Sequence, residues 1–506
     1  MLKIRKVDFV KIFYFTIIEK ISIHMSQREL HGRKLLGYCI GFNGMLLADI
    51  FRGVFIFQYY VYTIHLNALL VTIGMAIRLI IAALSSIIFG VLADNKKPGK
   101  FGKRRPFLFY LLPVWFLSSI LVWFPPWYCP KNNSMHFPTA IYLWVILAIN
   151  AVSGMSILSV HASMLPEQSQ THKNREKVAS VGAILAIIAS AIALFLPLYV
   201  QSLLEDPENV KWWEPSGKVI LFYMPILGII TASFGLLSVV WTFFSVDESF
   251  HKINPDLETN KASIKETFQQ MIVPAKDKKF RKFMLVGFFT SLAGMMMGIL
   301  IFPLLTYVVK FRGNDFYIYI IVSISCKFGW FYVWKLILKK HSLVKSYTIC
   351  IAFAALASFL EVLFLIEFLS FELRVLLFVA TMGTLLGAIY GFALFASPLA
   401  SAIIYEGAEN DINDNNIDEA ISEISGAYFG LQSFSLSIAG AIGSLIIGII
   451  LTGSNEENPI VITLTFASIG IFYLISLFFL RGIEINEELL DAFEINPEEV
   501  PIESLK

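Results

Sequence analysis

The sequence predicts an all-α membrane protein of twelve transmembrane helices, in two six-helix halves with both termini cytoplasmic. Three observations carry this. Apolar residues make up 57% of the 506 residues and charged residues 15%, against about 45–50% and about 25% in soluble proteins. A chain this apolar cannot cover its own surface in water. Its charges gather in short blocks between apolar stretches of about 20 residues or more, enough to cross a hydrocarbon layer of about 30 Å as helix. Lys and Arg are also one-sided. With the N-terminus inside, 30 of the 40 fall in inner segments, 6 in outer loops and 4 within spans, and this asymmetry sets orientation.

The expected spans are 35–61, 68–93, 107–126, 139–163, 179–202, 218–245, 282–309, 315–338, 345–369, 373–403, 425–453 and 459–480. No ten-residue polar/apolar alternation recurs, which argues against a β-barrel. Trp123, Trp127, Trp212 and Trp213 fall at outer edges, where an aromatic belt belongs. Gly41 with Gly44, and Gly440 with Gly443, place small residues one turn apart, a spacing that suits close helix packing and also arises by chance.

Residues 1–34 form a cytoplasmic segment. Lys11, Glu19 and Lys20 interrupt its apolar run, so it is no clean signal peptide; Met25 is an alternative start, and a basic interfacial segment the other reading. The six-helix bundles are expected over 35–245 and 282–480, joined by a cytoplasmic loop over 246–281, the hydropathy sign of two parallel halves. No strong residue-level repeat relates them. The tail from Arg481 is acidic and read as solvated. The four cysteines include no CxxC pair, so neither a disulfide framework nor a metal site is expected. Asn132–Asn133–Ser134 is a glycosylation acceptor on the outer side. Asp411 opens a calcium-like loop, but Ser422 stands where its closing Glu belongs and Asn416 where Gly is wanted.

The loop after span two runs from Gly90 through Asp94 to Gly102–Lys103–Arg104–Arg105–Pro106–Phe107. A basic cluster at an inner helix end needs no special explanation. Asp94 does: a carboxylate there is able to pair with guanidiniums and to accept from the first amides of a neighbouring helix. This segment resembles the signature loop of the major facilitator superfamily, in particular its glycoside–pentoside–hexuronide:cation symporter branch. A second match follows span four, Leu165–Pro166–Glu167 with Arg175 eight residues on. Weaker ones are Tyr405–Glu406 with Gly426–Ala427–Tyr428–Phe429–Gly430–Leu431–Gln432, and Tyr38 through Gly44 with Tyr59–Tyr60. The resemblance implies a transporter working by alternating access, with Asp94, Gly102, Arg104, Arg105, Glu167 and Arg175 as its inner gating latch.

The departures limit what transfers. The acids that serve cation and sugar binding in melibiose-type members fall at Ala82, Ser86, Leu158 and Leu46 here, and a lysine of span eleven at Ser437. The branch's sodium site is therefore not expected. The chain's own intramembrane charges are Asp49 and Arg52, three residues apart on one face of span one, Arg78 in span two and Lys327 in span eight. Each costs about 2.5–3.5 kcal/mol at a span centre. One reading is structural, an Asp49–Arg52 pair with the others locked elsewhere. The other is a site: the four sum to +2, which favours an anionic solute such as a hexuronide. In that reading Asp49 is also able to bind a proton or cation, Tyr59 shares the face of Arg52, and Asn150 and Gln432 offer hydrogen bonds, though ordinary interhelical bonding serves for those two. Glu361 and Glu367 on span nine are expected to pair or snorkel outward, and His161 to make a structural polar contact.

The expected function is secondary transport of a small solute, a sugar or glycoside, with H+ or a monovalent cation as coupling ion. A lipid or lysolipid carrier of the same fold and a non-transporting sensor are the alternatives. No HExxH, GxSxG or phosphate-binding loop supports an enzyme. No cofactor or nucleic-acid partner is expected. The setting is the lipid bilayer, the plasma membrane in particular, and the expected state a monomer.

Overall fold

A computed structural model describes residues 28–97, 99, 101–248, 263–366, 368–411 and 417–485, without the side chains of Asp94, His172, Lys327, 408–411 and 417–423. Among the described residues the regular secondary structure is helical, joined by turns and loops, with an isolated bridge between Gly99 and Gly102. The first half holds α1 Gly32–Gln58, α2 Ala68–Asn95, α3 Arg105–Leu121, α4 Phe137–Gln168, α5 His172–Ser202 and α6 Pro215–Ser245. A short α7, Ile264–Ile272, leads to the second: α8 Lys278–Pro303, α9 Phe316–Leu338, α10 Leu343–Leu360, α11 Phe371–Asp411, α12 Ile417–Ile450 and α13 Pro459–Leu480.

Eleven of these are long and apolar enough to cross a membrane. The twelfth, α3, has 17 residues, the lower limit for a span. It stops before Pro125 and Pro126, neither of which continues a helix. The inner ends differ from expectation in the opposite sense. The loop expected over 404–424 is largely helix, because α11 runs on to Asp411 and α12 begins at Ile417. At 1.5 Å per residue the 41 residues of α11 span about 60 Å, so its polar inner end stands clear of the bilayer. Within the expected loop 246–281, α7 opens on a capping box in which Ser263 and Glu266 satisfy each other's backbone amides. The Ser-x-x-Glu signal for it is in the sequence. The calcium-like stretch and the acidic tail beyond residue 485 lie outside the described residues.

Packing repeats between halves. In the first, α1 packs on α5 and α6, α2 on α4, and α3 on α4 and α6; in the second, α8 packs on α12 and α13, α9 on α11, and α10 on α11 and α13. Each contact recurs six spans on. The halves meet where α2 packs on α12, α5 on α9 and α1 on α8. The residue-level repeat missing from the sequence appears in backbone form. Spans one and seven both end in π-helical segments, Tyr59–Thr63 and Leu304–Val309. Each is followed by a residue at positive φ, His65 at 66° and Lys310 at 65°.

Small residues set the close approaches. A Cβ at Gly41 would lie 1.8 Å from Thr242 Oγ1 of α6, and one at Gly448 1.8 Å from Thr72 Oγ1 of α2. No larger residue fits where these backbones touch. His161 is a structural contact: its Nε2 bonds the Tyr38 carbonyl at 2.9 Å, the Tyr38 hydroxyl donates to the His161 carbonyl at 2.9 Å, and the rings stack.

Candidate functional site

Asp49 of α1 brings two of the intramembrane cations together. Arg52 donates to its Oδ1, and Arg78 of α2 donates to its Oδ2 at 2.8 Å. The i,i+3 step puts Asp49 and Arg52 on one face, and α2 delivers Arg78 from across the groove. Arg52 is 2% exposed, yet its Nε and Nη1 have no acceptor, nor does Arg78 Nε. One carboxylate thus faces two guanidiniums, leaving a net charge of +1 and unused donors. Gly53, one turn from Asp49, is exposed, and a Cβ there would meet nothing within 4 Å, so the face opens onto free space.

The other sequence-predicted binding residues do not all join this cluster. Asn150 is buried and donates to Ser118 Oγ at 3.2 Å and Ser119 Oγ at 2.9 Å, tying α4 to α3. The Tyr59 hydroxyl is buried and donates to the Trp123 carbonyl at 2.8 Å. Both belong to the packing of the first half, because the Asn150 amide is taken by α3 and the Tyr59 hydroxyl by the turn that follows α3. Gln432 is half-buried on α12. Lys327 lies in α9, its side chain outside the described residues.

At the inner face the loop after α2 folds against the end of α6. Arg104 pairs with Glu167 at 2.9 Å and also donates to the Ser163 carbonyl. Arg105 lies over the Phe243 ring at 4.3 Å, and Arg175 Nε donates to the Ser169 carbonyl at 2.9 Å. The carboxylate that accepts from the first amides of α3 is that of Glu248, which the sequence reading missed. It takes the N–H of Arg104 at 3.0 Å and of Arg105 at 3.3 Å, and is 1% exposed. The expected donor of that carboxylate, Asp94, has its side chain outside the described residues. Gly102 is required here: its φ is +91°, and a Cβ would sit 2.1 Å from Glu248 Oε2. Glu248→Ala is expected to lower stability by about 2 kcal/mol by taking the carboxylate away from one buried and one half-buried N–H group, read as a fall in the unfolding midpoint of the purified protein. Glu248→Gln, which keeps an acceptor oxygen, is expected to lose less.

The halves are sealed at the outer end and apart at the inner. Outside, each π segment supplies a tyrosine that reaches a loop of the opposite half. Tyr62 donates to the Glu456 carbonyl at 2.6 Å, Tyr307 donates to the Glu208 carbonyl at 3.2 Å, and the two rings lie 5.5 Å apart. Lys211 pairs with Glu457 at 3.1 Å, and Arg312 with Glu208, again across the halves. Phe55 and Phe302 meet edge to face beneath them. Burial, and next the Glu457 carboxylate, push the Glu456 carboxyl up to about 8, against the pull of Lys211. Toward the inner face α2 and α12 separate around a cavity of about 1420 Å³, lined by Ser86, Ser159, Gln270, Glu406, Tyr428 and their neighbours. Ser86 is eight residues inward of Arg78, about 12 Å along α2. The Asp49 cluster therefore sits between a closed outer latch and an open inner cavity.

A family profile described as MFS/sugar transport protein matches residues 37–484. Solved structures share the fold. The nucleoside transporter NupG is 12% identical with a TM-score of 0.58, over 90% of this chain and 100% of that one. The xylose transporter XylE from E. coli, in a partially occluded inward-open conformation, is 12% identical with a TM-score of 0.56, over 90% and 100%. A bacterial homologue of the human lysosomal transporter Spinster, inward-facing, is 12% identical with a TM-score of 0.58, over 88% and 95%. No curated protein matches the sequence. The chain is a multi-pass membrane transporter of the major facilitator superfamily, not an enzyme. With 37–484 matched, it belongs to the MFS/sugar transport protein family.

Proposed function

We propose that this chain is a secondary transporter of the glycoside–pentoside–hexuronide type that moves an anionic sugar or glycoside by alternating access, acting as a monomer in the plasma membrane. The observation that supports this most is the shared carboxylate of Asp49. It leaves Arg52 Nε and Nη1 and Arg78 Nε buried without acceptors, beside free space at Gly53. A buried guanidinium with unused donors is destabilised until an acceptor arrives. A uronate carboxylate supplies one, and planar guanidiniums suit it by geometry and by charge. Lys327 on α9 extends the positive field in this reading, and Gln432 offers an amide to hydroxyls. Arg104, Glu167 and the residues around them act as the inner gate. Coupling by H+ or a monovalent cation does not run through the branch's sodium site: Ala82 and Leu158 carry no oxygen ligand on their side chains, and Ser86 donates to the Ala83 carbonyl at 2.9 Å.

Binding to the folded protein raises its unfolding midpoint by mass action, which gives the test. Methyl glucuronide is expected to raise the midpoint of the purified protein, and methyl glucoside not to. Arg78→Gln is expected to remove the difference. Equal stabilisation by the neutral sugar, or stabilisation by a lysolipid alone, would overturn the assignment. Uptake into proteoliposomes is expected to be unchanged when a sodium gradient is collapsed.

A further inference from the structure

Among the described residues, α7 is covered along one edge only. Met271 is 6% exposed and rests against α12 at Gly430, where a Cβ would come within 3.2 Å of its side chain. Thr267, Gln270 and Met271 line the inner cavity between α2 and α12; Ile264 and Ile272 do not. Ile264, Phe268 and Ile272 are four residues apart and so share a face, which borders Met271, three residues after Phe268. On that face Ile264 is 38% and Ile272 60% exposed. Glu266 and Gln269, both exposed, take the far side. The helix therefore has a cavity edge, an uncovered apolar edge and a polar back.

Depth decides what lies beyond the uncovered edge. α7 touches both α2 and α12. The span Ala68–Ala93 has 26 residues, about 39 Å of helix against about 30 Å of hydrocarbon, so about one turn at each end stands among headgroups. Gly90 and Val91, which line the cavity with α7, fall at that boundary. Gly430, under Met271, is six residues inside the inner end of the span Ile424–Ile450, about 9 Å along it. α7 thus lies where headgroups give way to acyl chains, the level at which an amphipathic helix buries its apolar face.

The charge around it matches an anionic surface. Lys265, Lys276 and Lys278 are exposed along and just after the helix. The two acids among them cap helix starts: Glu266 accepts from the Ser263 N–H at 3.3 Å, and Asp277 from the Lys279 N–H at 2.8 Å. Basic residues at an inner interface are attracted by anionic lipid.

We infer that α7 is seated in the inner leaflet, with Ile264, Phe268 and Ile272 among the acyl chains and Lys265, Lys276 and Lys278 on anionic phospholipid headgroups. Seated there, it walls the cavity from the bilayer where α2 and α12 part, so the cavity opens to the cytoplasm rather than sideways into lipid. This holds whatever solute is carried.

The test uses the full chain in phosphatidylcholine vesicles, with and without phosphatidylglycerol. A trace of phospholipid carries a diazirine high on one acyl chain, and adducts are mapped by peptide mass spectrometry. Phe478 of α13, 75% exposed near the inner end of its span, is the internal reference. Adducts are expected on Ile264, Phe268 and Ile272 and not on Glu266 or Gln269, several-fold more with phosphatidylglycerol. Molar salt is expected to remove that gain in the wild type, and so is Lys265→Glu with Lys276→Glu and Lys278→Glu. An α7 without adducts while Phe478 is modified would overturn the proposal. So would equal adducts on Gln269, or a yield that ignores both phosphatidylglycerol and salt.

Discussion

Asp49→Asn is expected to abolish solute uptake and to lower stability by about 3 kcal/mol. The substitution keeps the shape of the side chain and removes the only charge that pairs with Arg52 and Arg78 among the described residues. Arg52 is 2% exposed, so water does little to screen it, and two guanidiniums would face each other across a buried groove. Breaking a buried ion pair from one side is costly because the remaining charge has no compensation. The second variant separates structure from function. Asp49→Asn with Arg78→Gln removes one charge of each sign and is expected to recover much of the lost stability, since the like-charge contact is gone. It is not expected to recover uptake, because one of the two acceptor-seeking guanidiniums is missing. Unfolding midpoints of the three purified variants, with uptake into proteoliposomes, check both halves. Uptake by the double variant at the wild-type rate would reduce the cluster to a structural ion pair.

The cluster also shows how far sequence reached. Depth was legible: a residue's count from the nearest basic loop places it along a span, and Asp49, Arg52 and Arg78 do lie at comparable depth. Azimuth was less so. Tyr59 lies seven residues after Arg52, a spacing that puts it on the same face of a regular α-helix. The α-helix ends at Gln58 and a π segment begins at Tyr59, where the side chain is buried and its hydroxyl is taken by the Trp123 carbonyl. Asn150 sits at the right depth in the wrong direction, because a span of apolar residues carries little periodicity to say which side faces a neighbour. The small pairs at Gly41 and Gly440 marked close packing correctly, while their partners, Thr242 and Leu79, are far off in sequence. Glu248 was invisible for the same reason. It stands 144 residues from the amide it caps, in the loop that joins the two bundles. The repeat between halves escaped because it is one of backbone shape. Tyr62-x-x-His65-Leu66 and Tyr307-x-x-Lys310-Phe311 share one identical residue, yet both make a π segment closed by a left-handed residue.

That repeat carries the other large effect. Tyr62→Ala with Tyr307→Ala is expected to shift the balance between outer-closed and outer-open states about a hundredfold toward open. Two hydrogen bonds, one buried and one half-buried, at about 1 kcal/mol each and one aromatic pair at about 1 kcal/mol are lost, and about 1.4 kcal/mol is a factor of ten. The flanking pairs contribute little. Arg312 and Glu208 are each more than a third exposed, and so is Glu457 opposite Lys211, so water screens them. The single Tyr→Phe variants keep the rings and are expected to shift the balance about fivefold each. Labelling of a cysteine placed in the outer vestibule, by a reagent that does not cross the membrane, reads the balance directly. The pH dependence has a definite sign at Glu456. Its carboxyl is raised from about 4.5 to about 8 in the closed latch, so the closed state holds the proton more tightly than an exposed one would. Its contribution to closure is whole below about pH 4.5, falls as pH rises, and is lost above about pH 8. Glu456→Gln is expected to remove that part of the pH dependence and leave the latch closed to higher pH. A latch that loosened on acidification instead would mean that Glu456 is held as the carboxylate by Lys211, and the order of charges at the outer face would have to be reversed.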